Sequence, residues 1–337
     1  MDMLIKFLAA AIVSGTPLLF GTLGEILTEK AGHLNLGVEG MMAMGAIAGF
    51  YVGYKTSNVL LSLLTAFAAG VLCALIYAFL TITLKATHNV TGLTLTIFGS
   101  GLSSFIAFAM IKGAENGVPV LESSFTRSLS DIHIPFLSDI PVIGELLFQY
   151  NPLVYLGIVM AVVMALYMKR TRAGLNLTAV GENPAAADAA GINVTLVKYI
   201  HVLIGGGICG LGGAYMSLTI GNGSWVNNIV NGYGWIAVAL VIFASWNPAK
   251  AIGGAFVFGA FSVIRYYIPS GINLPTAFYN MLPFLVTAIV LVISSVRKKK
   301  KHVEPAAIGA IYFREEQEKQ EKEAREREKK EREKEEK

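Results

Sequence analysis

A few polar side chains stand in otherwise apolar stretches, and these residues are equipped to do chemistry. Glu25 lies in "LGEILTEK" (23–30), and Asn35 and Glu39 lie in "GHLNLGVEGMM" (32–42). An ionisable group in such surroundings is costly, so it usually faces a cavity, a partner or a transport pathway. Asn35 and Glu39 are four apart and would share one face of a helix, with Glu25 approaching from the preceding segment. Together they could hydrogen-bond a small polar solute. Thr94 joins Thr91, Thr96, Ser100, Ser103 and Ser104 in a stretch unusually polar for its hydropathy, which suits either a pore face or hydrogen bonds between helices. The competing role for Glu39 is to satisfy a helix end or a partner inside the bundle, or to sit near a membrane interface.

Other chemistries find no support. There is no G-x-x-x-x-G-K-[ST] run, so the chain is not its own P-loop ATPase. His88 and His201 have no companion at metal-ligand spacing, and no nucleophile–base arrangement can be argued. Cys73 and Cys209 both fall in apolar runs, where they read as small core residues. The glycines of "LIGGGICGLGGAY" (203–215) serve close helix packing in lipid. Trp225 in "GNGSWVNN" reads as an interfacial anchor, with contact to a solute at the outer mouth as the alternative.

These residues are carried by a chain built for lipid. Of 337 residues, 54% are hydrophobic and 15% charged, with mean hydropathy +0.58. Apolar stretches suited to crossing ~30 Å of hydrocarbon fall near 4–27, 36–54, 59–84, 90–111, 152–168, 198–220, 233–246, 251–268 and 276–296. The expectation is an all-α polytopic bundle of eight to ten spans over residues 1–296. Lys169, Arg170, Arg172 and Lys198 place the loop 169–197 in the cytosol, as "RKKKK" (297–301) does for the C-terminus. The segment 112–151 is then external. Counting spans puts the N-terminus outside, against the weak contrary signal of Lys6. Residues 297–337 hold 15 Lys/Arg and 12 Asp/Glu and form a charged cytosolic tail, within which 314–337 reads as a solvated helix, so the net charge gives no sign of nucleic acid.

Within the cytosolic loop, "VGENPAAADAAGI" (180–192) specifies one short helix. Asn183 is an N-cap, Pro184 suits the first turn, the alanines favour helix, and Gly191 can close the C-terminus. About seven residues cannot hold a helix in water unaided, so something must support it. Nearly methyl-sized throughout, it could enter a partner's groove, or it could simply lie on the bundle.

Three ordered stretches resemble one family: "LGEILTEKAGHLNLGVEGMMAMGAIAGF" (23–50), "TRAGLNLTAVGENPAAADAAGI" (171–192) and "GYGWIAVALVIFASWNPAKAIGGAFVFG" (232–259). They are similar to the permease subunit of bacterial ABC importers for simple sugars and nucleosides, of the branched-chain amino acid/ribose type. The likeness is nearest the nucleoside branch, which is served by a lipoprotein receptor of the basic membrane protein type. It covers roughly 3–296; nothing in the family pattern requires the charged tail. It implies a multi-pass protein of the cytoplasmic membrane, in which two permease subunits form the pathway. A cytosolic ATPase would consume ATP and Mg, an external lipoprotein receptor would deliver a nucleoside, and this chain would bind no cofactor. Residues 181–191 would be the ATPase-coupling helix, with Arg172, Gly181, Glu182, Asn183, Pro184, Ala187 and Gly191 at matching positions. The alternatives are a simple-sugar permease, a cation-coupled transporter using Glu25 or Glu39, and a scaffold working through its tail.

Overall fold

The structure, a computed structural model, describes residues 2–114, 117–133, 135–136, 138, 140–267, 275–296 and 304–313. In chain order the helices are α1 (Asp2–Lys30), α2 (Val38–Thr56), α3 (Val59–Ala78), α4 (His88–Lys112), α5 (Ser123–Ser128), α6 (Ile143–Leu147), α7 (Pro152–Arg170), α8 (Arg172–Glu182), α9 (Pro184–Ala189), α10 (Val194–Tyr215), α11 (Tyr233–Phe243), α12 (Pro248–Val263) and α13 (Thr276–Val296). Wider π-helical turns extend α3 over Phe79–Thr83 and α10 over Met216–Ile220. The local signals are conventional. Asn58, Asn151, Asn193 and Asn247 accept backbone N–H bonds at the starts of α3, α7, α10 and α12, meeting donors a helix leaves unpaired.

The glycine-rich α10 lies against α1, α2 and α3. Side-chain hydrophobicity gives helices no reason to associate in lipid, so contact depends on close van der Waals approach. Gly45 of α2 meets the backbone of Gly210. A Cβ on Gly213 would stand 2.6 Å from the carbonyl carbon of Met42 and 3.0 Å from the nitrogen of Ala46. The outer faces of α3, α4 and α7 expose Leu60, Leu64, Ile97, Phe105, Val159 and Val163, apolar surface suited to lipid or another membrane subunit.

The expectation of eight to ten spans is corrected. Among the described residues five helices are long and apolar enough to cross a membrane: Met3–Lys30, Val59–Thr83, His88–Lys112, Pro152–Arg170 and Val194–Ile220. The stretches read as spans at 233–246 and 251–268 form α11 of 11 residues and α12 of 16. These are about 16 and 24 Å long at 1.5 Å per residue, short of the hydrocarbon thickness. The stretch at 36–54 forms α2, where Glu39, Lys55, two tyrosines and four glycines dilute its apolarity. The last stretch forms α13, several of whose side chains lie outside the described residues.

Between α10 and α11 the chain is non-helical over 221–232. Asn222, Asn228, Asn231, Gly223 and Gly232 all take positive φ, a conformation that Asn and Gly tolerate best. This segment starts beside the 112–151 region, where Leu121 N–H donates to Gly223 O (2.7 Å) and Trp225 N–H to Pro119 O (3.0 Å). It ends inside the bundle, where Gly232 and Gly234 reach Glu39 of α2. Irregular backbone in a membrane protein is tolerated where protein surrounds it or where it lines a cavity.

At the opposite end, the ten residues 304–313 form a strap over three turns. Ala307 N–H donates to Gly181 O (3.0 Å) and Gly309 N–H to Gly32 O (3.1 Å). Ala306 N–H donates to Glu182 Oε2 (3.3 Å), and Tyr312 OH donates to Asp188 Oδ2 (2.9 Å). The Phe313 ring lies 6.0 Å from Lys85 Nζ. This part of the charged tail is therefore packed against the bundle. The charged helix expected over 314–337 lies outside the described residues.

Candidate functional site

A cavity of about 1240 Å³ is lined by the first half of α1 (Ala10, Val13, Ser14), by Thr126, Leu129, Ser130 and Asp131, and by the 221–236 segment with Asn231, Gly232 and Tyr233. Ser262, Arg265 and Tyr266 near the end of α12 and Tyr279 of α13 close it. Its walls mix aromatic rings with hydroxyl, amide and charged groups, the lining of a site for a small polar solute. Tyr233 OH lies 3.4 Å from Ser14 Oγ. Partial burial raises the Asp131 carboxyl above its ordinary value.

None of Glu25, Asn35, Glu39 and Thr94 lines this cavity. Glu25 Oε1 accepts from Asn35 N–H (2.9 Å), and Asn35 Oδ1 accepts from Gly37 N–H (2.9 Å). Because α2 starts only at Val38, Asn35 and Glu39 do not share a helix face. Thr94 donates to Val90 O on the exposed side of α4. Glu39 is 7% exposed, and its two oxygens accept from Gly232 N–H and Gly234 N–H, both at 2.7 Å. It thereby caps the buried start of α11, whose unpaired N–H groups and dipole favour an anion, and it fixes the cavity wall from behind. Glu39→Gln sets an NH₂ against one of those donors and is expected to cost about 2–3 kcal/mol of stability. A thermal midpoint unchanged from wild type would show that the carboxylate does not hold α11 in this way.

The helix expected near 183–190 is α9. Asn183 Oδ1 accepts from Ala186 N–H (3.0 Å), Pro184 occupies the first turn, and Gly191 takes φ +81° while Ile192 N–H returns to Ala187 O (3.0 Å). Ala187 points inward: it is 3% exposed and packs with Val180, Val194 and Tyr312. The outward face carries Glu182, Asn183, Ala186, Ala189, Ala190 and Gly191. Gly181 lies where any Cβ would collide with Lys30 O. Arg172 is exposed at the start of α8, a helix capped by Thr171 Oγ1 on Gly174 N–H (3.0 Å). Bundle, α8 and strap supply the support this short helix requires.

Sequence reasoning passed over Glu29, which accepts from Trp246 Nε1 and ties the α11–α12 turn to α1. It also passed over His33, buried between α1 and α2. Burial, helped by Lys198, His88 and Lys85, holds the His33 ring well below its ordinary pKa, so it is neutral at pH 7. The signal available for both was an ionisable residue beside an apolar run. Among the described residues no group of three or more His, Cys, Asp or Glu could hold a metal.

A helical membrane bundle holding an open cavity of mixed polar and apolar lining is the frame of a transport subunit. The chain belongs to the family described as branched-chain amino acid transport system / permease component, whose model matches residues 7–291. It is thus the membrane permease subunit of an ABC importer, a non-catalytic component coupled to a cytosolic ATPase. TsgC13 of Haloferax volcanii, provisionally named a glucose ABC transporter permease protein, is 37% identical over 77% of this chain and 76% of its own. The nucleoside ABC transporter permease protein NupC of Lactococcus lactis is 32% identical over 91% and 96%. The guanosine ABC transporter permease protein NupQ of Bacillus subtilis is 33% identical over 84% and 89%. Sugar and nucleoside names both occur among these relatives, so the expected placement nearest the nucleoside branch is not a distinction they draw.

Proposed function

We propose that the chain moves a nucleoside across the cytoplasmic membrane and that residues 181–191 receive the ATPase. The observation carrying the substrate reading is coverage: NupC and NupQ, with nucleoside names, align over 91% and 84% of the chain. The cavity supports it, since Tyr233, Tyr266 and Tyr279 offer ring faces to a base, while Ser14, Asn231 and Ser262 offer partners to a ribose. A glucose-type sugar is the second reading, favoured by the identity to TsgC13. In this scheme a second permease completes the pathway, an external lipoprotein receptor delivers the solute, and the ATPase side and the C-terminus face the cytosol. Uptake of labelled guanosine and glucose by vesicles carrying the full transporter tests the proposal. ATP-dependent guanosine uptake that excess glucose leaves untouched is expected, and the reverse preference assigns the sugar.

The bonds of the 304–313 strap bear on where the chain can be cut. A chain ending at Phe313 is expected to transport at close to the wild-type rate. A chain ending at residue 303 loses the bonds to Gly32, Gly181, Glu182 and Asp188 and is expected to fall below half that rate. Equal uptake by both would remove any role of the strap in coupling.

A further inference from the structure

Four side chains that neither the cavity nor the outward face of α9 uses converge at the strap end of the bundle. His33 is 1% exposed, and neither of its ring nitrogens has a hydrogen-bond partner. It stacks on His88 with ring centroids 4.4 Å apart and planes 19° apart, and His88 Nδ1 is also without a partner. Lys198, 5% exposed on α10, and Lys85, from the α3–α4 turn, line the same small cavity, which Ala310, Ile311 and Tyr312 of the strap close. Lys85 also borders, with Asp188, the adjoining cavity, whereas Lys198 is buried under the strap.

Buried polar nitrogens without partners are rare in folded proteins and point to an ordered water or ion. A buried ammonium without a counter-charge is costlier still. Water could satisfy the imidazoles but would bring no negative charge to the cavity that Lys198 and Lys85 line. The cavity, about 10 Å³, has room for one small occupant.

We propose that Lys85, Lys198, His33 and His88 form a site for one small monovalent anion of chloride size, drawn from the side of the bundle that carries α9. It enters through an adjoining cavity of about 350 Å³ lined by Lys85, Asp188, Asn193, Thr195 and Tyr312. The ammonium groups supply the charge and the neutral imidazoles an N–H each. The occupant sits under the strap and beside Val194, which packs with Ala187, so its binding stiffens the support of α9.

The test is thermal unfolding of the purified full-length subunit in detergent, with chloride replacing gluconate at constant ionic strength. A saturable rise in Tm of about 3–5 °C is expected at a hundredfold excess over Kd, with none in Lys198→Met or Lys85→Met. Sulfate is expected to give no rise. No chloride effect on the wild-type protein, an effect undiminished in both variants, or an equal effect of sulfate would overturn the site. Crystals grown in bromide provide a measurement that needs no variant to fold. An anomalous peak between the two lysines is expected, and its absence leaves water as the occupant and overturns the proposal.

Discussion

Gly213→Val is expected to abolish recovery of folded subunit. The new side chain would drive into the backbone of α2 at Met42 and Ala46, where no flexible group can yield. Overpacking of a core costs about 1–3 kcal/mol when neighbours adjust, and more is expected here because backbone must move. The readout is the monodisperse fraction after detergent extraction, with Gly101→Ala as control, since a Cβ there meets nothing within 4 Å. Wild-type recovery of Gly213→Val would mean that α2 and α10 are not in backbone contact.

Ala189→Trp is expected to cut ATP-driven uptake at least tenfold while leaving the thermal midpoint of the isolated subunit unchanged. Ala189 is exposed on α9 beside Ala186 and Ala190, so an indole there meets only what docks from outside. Ala187→Trp makes the contrast, because Ala187 is buried against Val180 and Val194 and its replacement is expected to lower stability before any partner is present. Copurification of the ATPase with each variant separates the two effects. Undiminished ATPase binding and uptake in Ala189→Trp would remove residues 181–191 from the coupling role.

The sequence was most informative where the signal is local. Asn183, Pro184 and Gly191 mark the ends of α9 because caps act within one turn. It could not reveal which alanine faces inward, since that depends on Val194 and Tyr312 arriving from elsewhere in the chain. The span count failed for a related reason. Apolarity measures a preference for lipid or core, and α11 and α12 satisfy it as short helices buried by their neighbours. Glu25, Asn35 and Glu39 stood out in the sequence as polar residues in apolar surroundings. Their partners, however, are backbone N–H groups at Asn35, Gly37, Gly232 and Gly234, and backbone carries no sequence signature. The strap escaped notice because the apolar "PAAIGAIY" lies between "RKKKK" and the glutamate-rich tail, and the charge of its flanks dominates any averaged window.

The Glu39 carboxylate behind Gly232 and Gly234 also sets the charge of the cavity wall. A bare helix start carries about half a positive charge and readily binds phosphate. Here that charge is already matched from the rear. The wall at Gly232 and Tyr233 therefore offers no unmatched helix start, and the residue that sets this, Glu39, stands outside the cavity lining.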